Sequence, residues 1–177
     1  MKAYSSDRIY TGRFVNLRVD EIDRKRGEGR RIVEVVEHAG GVCVIARPSP
    51  SQIVLVKQHR HAVDQDLWEA PAGMLEPGEA PIDTARRELL EETGYRAESL
   101  RFVWSIYTSP GFCNERIHFF AADGLTAGEA EPDDDEDFEL RTWSIEDAWA
   151  LVERDELRDA KTQVALAWAR MQDGARG

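Results

Sequence analysis

Cysteine is scarce in this chain of 177 residues: Cys43 and Cys113 are its only two, far too few for a disulfide framework. Long apolar runs are missing as well. No segment approaches the roughly 18 consecutive apolar residues that a membrane-spanning helix needs. The opening Met1-Lys2-Ala3-Tyr4-Ser5-Ser6-Asp7 lacks the apolar stretch of a secretory signal. The expectation is a soluble, cytoplasmic protein with no membrane partner. Positive charge is also short, with 23 Lys plus Arg against 34 Asp plus Glu and a formal net charge of −11. A surface of that sign repels nucleic-acid backbones and anionic membranes, so non-specific polyanion binding is excluded. A phosphorylated substrate would need a cationic intermediary, for which metal ions are the obvious candidates. The P-loop ending in Gly-Lys-Ser/Thr is absent, as is His-Glu-x-x-His, and His38, His59, His61 and His118 lack the spacing of a zinc site.

What is present suits one domain, or one domain with a small appendage. Hydrophobic residues make up 42% and charged residues 32%, enough apolar material for a real core. No internal repeat and no Ser/Gly/Pro linker divides the chain. From residue 9 to residue 38, short stretches alternate apolar and polar side chains, with Val15, Leu17 and Val19 on one face, and read as antiparallel strands. Residues 41–46 and 53–56 are continuous β-branched and apolar runs around the turn Pro48-Ser49-Pro50-Ser51, as expected of strands covered on both faces. Strands are also expected over 100–107, 116–121 and 138–143. Helical periodicity over 145–152 and 164–171 places Trp149 and Trp168 in the core. Strands in the middle and helices on the flanks imply a mixed α+β sandwich.

The clearest helix is 80–93, with Pro81 suited to its first position and Gly94 to the left-handed residue past its end. On a wheel, Ile82, Ala85, Leu89, Leu90 and Thr93 form the face to be buried. Glu88, Glu91 and Glu92 fall on an adjacent arc, with Cβ atoms about 5–6 Å apart at the i,i+3 and i,i+4 spacings. Like charges so placed cost a helix roughly 0.2–0.5 kcal/mol per pair, and within the helix only Arg87 offsets them, at i,i+4 from Glu91. A solvated stripe is the usual meaning of a charge run. Here, however, the run follows the loop Gly73-Met74-Leu75-Glu76-Pro77-Gly78-Glu79. A carboxylate arc beside a loop backbone offers the oxygen ligands that hard cations such as Mg²⁺ take, while leaving positions for a substrate phosphate.

Gly73, Glu79, Arg87-Glu88, Glu91-Glu92 and Gly94, at these separations and with the aliphatic Leu89, resemble the Nudix box. Seven fixed identities, each arising by chance roughly once in fifteen to twenty residues, leave coincidence negligible. Tyr95 stands where the family has an aliphatic residue, a mild departure outside the catalytic positions. The resemblance implies an α/β/α sandwich with a mixed central sheet and an N-terminal antiparallel strand segment. It also implies hydrolysis of a nucleoside diphosphate linked to another moiety. Carried over to this chain, Glu88 and Glu92 become metal ligands, Glu91 a further ligand or water-bridged partner, and the Ala72 carbonyl another. Arg87 orients Glu91, and Glu79 braces the loop. Mg²⁺ is the cofactor expected, with Mn²⁺ as the second choice.

Outside the box, Pro110 lies 15 residues beyond Tyr95 in Thr108-Ser109-Pro110-Gly111-Phe112. This resembles the ADP-ribose pyrophosphatase branch of the family, in which the turn belongs to the substrate loop; taken alone it is a Pro-Gly β-turn. By the same resemblance, Arg60, Glu69, Pro110, Gly111 and Glu115 contact the substrate. In the acidic stretch 129–137 and the residues after it, Glu136 best matches the place of the branch's general base, with Asp134 and Glu139 as competitors. The implied reaction splits ADP-ribose into AMP and ribose 5-phosphate. The alternatives are another nucleotide sugar or dinucleotide cofactor as substrate, or a sensor that binds without cutting; the three retained glutamates argue against the sensor. Relatives in that branch pair as homodimers through N-terminal strands. The expected division is therefore a strand segment over 1–40 and a hydrolase domain over 41–177.

Overall fold

The computed structural model describes residues 3–128 and 139–174, with side chains to residue 172. The chain forms two compact units. The first comprises Met1–Gly40 with Ile106–Arg116. It holds the antiparallel sheet of β1 (Ala3–Thr11), β2 (Val15–Asp23) and β3 (Arg30–His38), in that order. Continuous register pairs Val15 with His38 through to Asp23 with Arg30. Tyr4, Ile9, Tyr10 and Ile32 are exposed there, so this sheet does not enclose a core of its own.

The second unit comprises Gly41–Ser105 and Ile117–Gly177. Its elements are β4 (Gly41–Ala46), β5 (Gln52–Arg60), β6 (Gln65–Glu69), β7 (Ala72–Met74), α1 (Pro81–Thr93), β8 (Tyr95–Tyr107), β9 (Arg116–Ala127), β10 (Glu139–Ser144), α2 (Ile145–Glu153) and α3 (Ala160–Gly174). One sheet runs β7-β4-β9-β8 and a second runs β10-β5-β6. The first is mixed, because β4 pairs parallel with β9 and antiparallel with β7. All six residues of β4 are buried, as the unbroken apolar run requires.

Alternation along β4 explains the layers. Val42, Val44 and Ala46 pack with Ala85 and Leu89 of α1. Cys43, on the opposite face, lies in the electrostatic field of Lys161 in α3. A helix therefore covers each face of this strand, giving the α/β/α sandwich of an α+β fold. Each fully buried Val, Leu or Ile side chain contributes about 1.5–3 kcal/mol.

Several expectations shift in detail. The short strands β6 and β7 carried no sequence signal, and β8 begins at Tyr95 rather than at residue 100. Trp168 is buried at 5% exposure, whereas Trp149 is only half-buried and caps its indole on Glu153 at 2.9 Å. Ile82 is 38% exposed despite its place on the apolar face of α1. A wheel records direction, not whether a sheet extends far enough to cover the first turn.

Candidate functional site

Helix α1 begins without a side-chain cap, on Pro81, and ends where Gly94 (φ 70°) donates its N–H to the Leu90 carbonyl at 2.8 Å. The only acid of its first turn is Asp83, and no basic residue occupies its last turn. Glu91 and Glu92 therefore crowd the negative end of the helix dipole. That placement costs about 0.3–1 kcal/mol for each exposed charge. The sequence holds these acids where helix stability alone would exclude them.

One guanidinium gathers most of the carboxylates. Arg87 donates through Nε and Nη2 to Glu79, at 3.2 and 3.1 Å, and through Nη1 to Glu88 at 2.7 Å and Glu91 at 3.0 Å. The hydrogen bond from Arg87 is the main reason the Glu79 carboxyl titrates below its ordinary range. Arg87 is in turn held protonated, first by Glu79 and, against the opposing effect of burial, by Glu88 and Glu91. Glu79 thus braces the loop against the helix. Glu88 lies against the loop backbone, in space that a Cβ on Gly73 would fill. Glu92 is buried to 6% exposure and accepts the Ala72 N–H at 3.1 Å. Pairing of β4 with β7 fixes Ala72 opposite Cys43 and Gly73 opposite Val42, so the loop carbonyls and the helix carboxylates belong to one rigid corner.

Among the described residues, no three His, Cys, Asp or Glu groups are gathered closely enough to hold a metal ion as they stand. Two of the candidate ligands, Glu88 and Glu91, instead accept hydrogen bonds from Arg87 Nη1. The donor set nonetheless fits a hard divalent ion: it is all oxygen, carries more negative charge than the arginine neutralises, and lies beside a loop backbone that Gly73 leaves open.

A second cluster lies at the end of β5 and β6. Glu69 is 1% exposed and receives a bidentate fork from Arg60, with Nε on Oε1 and Nη2 on Oε2, both at 2.7 Å. Lys161 Nζ also donates to Glu69 Oε2, and reaches Asp159 at 3.0 Å. Burial pushes the Glu69 carboxyl upward, but the Arg60 hydrogen bond and the Lys161 charge outweigh it, and the carboxyl titrates below its usual range. Burial likewise works against the charged Lys161, and Asp159 and Glu69 together hold its pKa above the ordinary value. The negative charge of Glu92 helps to keep Arg60 protonated, which ties this cluster electrically to the helix carboxylates.

Sequence reasoning missed Lys161, Asp159 and Thr162. Asp159 caps the start of α3, accepting the Thr162 N–H at 2.9 Å, and that short-range signal was readable in Asp159-Ala160-Lys161-Thr162. Their link to Glu69, 92 residues earlier for Lys161, was not.

Pro110, Gly111 and Glu115 belong to the first unit. Their loop is tied to β3: Val36 donates to the Phe112 carbonyl at 2.7 Å, and Asn114 donates back to the Val36 carbonyl at 3.1 Å. Pro110, Gly111 and Phe112 line a small pocket with Val33, Val35 and Tyr107. Glu115 accepts from Thr108 Oγ1 at 2.7 Å and faces His38 Nδ1 at 3.2 Å. Of the candidate bases, Asp134 and Glu136 lie outside the described residues. Glu139 opens β10, 3.7 Å from Lys57 and largely exposed.

Comparison with known proteins adds to this geometry. The NUDIX domain pattern matches residues 37–166. An ADP-ribose pyrophosphatase of Bacillus subtilis (strain 168) is 39% identical over 174 residues, 97% of this chain and 94% of that protein. A methanol dehydrogenase activator of Bacillus methanolicus is 38% identical over the same shares of each chain. The crystal structure of an ADP compounds hydrolase superposes with a TM-score of 0.86, covering 99% of this chain and 95% of that one. Its identity is 19%, so this is a likeness of fold alone.

Proposed function

This chain belongs to the Nudix family, and from that premise we propose that it is a pyrophosphohydrolase splitting ADP-ribose into AMP and ribose 5-phosphate. The observation that carries the reading is the corner around Arg87. Three glutamates there converge on one arginine at up to 3.2 Å, beside a glycine whose missing Cβ leaves room for Glu88. The choice of ADP-ribose is supported by the 39% identity to a pyrophosphatase of that specificity across nearly the whole chain.

Nudix hydrolases generally depend on divalent cations, and Glu88, Glu91, Glu92 and the Ala72 carbonyl are the groups that would hold them here. Mg²⁺ suits this oxygen set, with Mn²⁺ as a substitute. When bound, such ions neutralise charge developing on the diphosphate and make a coordinated water acidic enough to attack near neutral pH.

The chain's own residues do the rest. Arg87 orients Glu91 and holds it and Glu88 on one guanidinium nitrogen, beside Glu79. Arg60 binds the diphosphate with the edge of its guanidinium outside the Glu69 fork, and Glu69, buried with both oxygens engaged, serves the substrate through Arg60. Pro110, Gly111 and Glu115 contribute substrate contacts, as the family resemblance implies. A carboxylate takes the proton of the attacking water; Glu136 is the first choice, with Asp134 and Glu139 as alternatives. The chain works in the cytoplasm as a homodimer joined through residues 1–40, where exposed Tyr4, Ile9 and Tyr10 offer apolar surface.

Initial rates on a panel of diphosphates test this reading. With Mg²⁺ and phosphatase-coupled phosphate release, ADP-ribose should give the highest kcat/KM. A nucleotide sugar or dinucleotide cofactor cleaved tenfold more efficiently would displace the substrate assignment. Binding without cleavage of any of them would make the chain a sensor.

A further inference from the structure

The cluster around Glu69 holds more than a substrate arginine needs if Glu69 were its only anchor. Glu69 Oε2 is shared between Arg60 Nη2 and Lys161 Nζ, while Oε1 serves Arg60 alone. Lys161 is 16% exposed and rests on Asp159, whose other oxygen accepts both the Thr162 N–H, at 2.9 Å, and the Thr162 hydroxyl, at 2.5 Å. That hydroxyl in turn accepts the N–H of Ala70, the residue after Glu69, at 2.8 Å. The first turn of α3 therefore grips both the side chain of Glu69 and the backbone beside it. Ala70 leads through Pro71, whose carbonyl accepts the Val44 N–H at 2.7 Å, to Ala72 and Gly73 at the helix carboxylates.

The charges balance: Arg60 and Lys161 against Glu69 and Asp159. Removing Lys161 would leave two carboxylates facing one arginine, with the buried Glu92 adding to the negative field around it. Arg60, 42% exposed, would then be drawn inward as the sole counter-ion and lose the outward edge that meets a phosphate.

We propose that Lys161, seated by Asp159, is a positioning residue for substrate binding: it takes up the second charge of the Glu69 site so that Arg60 presents its free guanidinium edge to the diphosphate. This rests on the functional reading above. Lys161 touches no substrate, and its effect passes through Glu69 and Arg60, so it acts on binding more than on turnover.

The experiment compares KM and kcat for ADP-ribose in Lys161→Met, Lys161→Arg and Leu166→Ala. Leu166, fully buried elsewhere in α3, controls for general loosening of that helix. Lys161→Met should raise KM roughly tenfold, the loss expected from one charge-assisted contact, with kcat within about twofold of the wild type. Lys161→Arg should recover most of the KM, and Leu166→Ala should lower the melting temperature with KM unchanged. Lys161→Met/Asp159→Asn restores the charge balance and should return KM towards the wild-type value; should Lys161→Met fail to fold, Lys161→Gln, which removes the charge but keeps a polar group beside Glu69, should show the same rise in KM. An unchanged KM in the variant that removes the Lys161 charge alone, a fall in kcat alone, or an equal KM rise in Leu166→Ala overturns the proposal. A wild type that prefers another diphosphate overturns the substrate assignment instead, and the comparison is then run on that substrate. A wild type that neither binds nor cuts any diphosphate overturns both.

Discussion

Two acidic clusters of the second unit obey opposite rules. Around Arg87, Glu79, Glu88 and Glu91 share one guanidinium, the buried Glu92 lies next along the helix, and the helix dipole is set against Glu91 and Glu92. Around Glu69, two carboxylates meet two cations, and the central carboxylate is sealed at 1% exposure. The first gathers more carboxylates than its one arginine neutralises, which is the charge a divalent cation would meet under the proposed function. The second pairs two carboxylates with two cations, the balance on which the proposed presentation of Arg60 depends. In the proposed reading, the excess of charge serves the chemistry and the balanced cluster holds it in register.

The most damaging way to break the contrast is to remove charge from the Arg87 cluster. Glu92→Gln should lower kcat/KM on the order of 10³-fold. The melting temperature should stay level or rise, because a charge leaves the wrong end of α1 while the amide oxygen can still accept the Ala72 N–H. Near-normal turnover would remove the metal-ligand assignment. Gly73→Ala should follow: its Cβ would displace the Glu88 carboxylate. A misplacement of that size costs about 10²-fold in turnover, with about 1–3 kcal/mol of stability lost to overpacking. Steady-state kinetics and thermal unfolding read both. On the balanced side, Arg60→Ala should raise KM about tenfold and lower kcat less, the signature of lost binding rather than lost chemistry. A fall in kcat with KM intact would place Arg60 in the chemical step. Smallest of all, Arg86→Ala removes an exposed ion pair with Asp83, at 3.1 Å on the outer face of the same helix. It should cost under about 0.5 kcal/mol by denaturant unfolding and leave activity untouched.

Much of this was legible along the chain. The unbroken apolar run of β4, the Pro81 start and Gly94 stop of α1, and the spacing of Glu88, Glu91 and Glu92 all depend on interactions within a few residues, so local pattern carried them. The short strands β6 and β7 escaped because each exists only by pairing, with β5 and β4 respectively, and has no periodicity of its own. The wheel misjudged Ile82 because it records direction around the helix and not what lies opposite. Arg87 was seen to reach Glu91 one turn away. Its hold on Glu79, from the preceding loop, required that loop to fold back along the helix.

Residue order alone determined the family, the carboxylate-bearing helix and the shortage of positive charge that makes a phosphate site dependent on a cation. These are matters of spacing and count, and no folding changes them. Tertiary structure decided which charges meet. Glu69 and Lys161 stand 92 residues apart, and only the packing of α3 beside β6 turns an edge carboxylate and an unremarked lysine into one buried pair. Electrostatic energy depends on distance through space and on exclusion of water, neither of which is written in the distance along the chain.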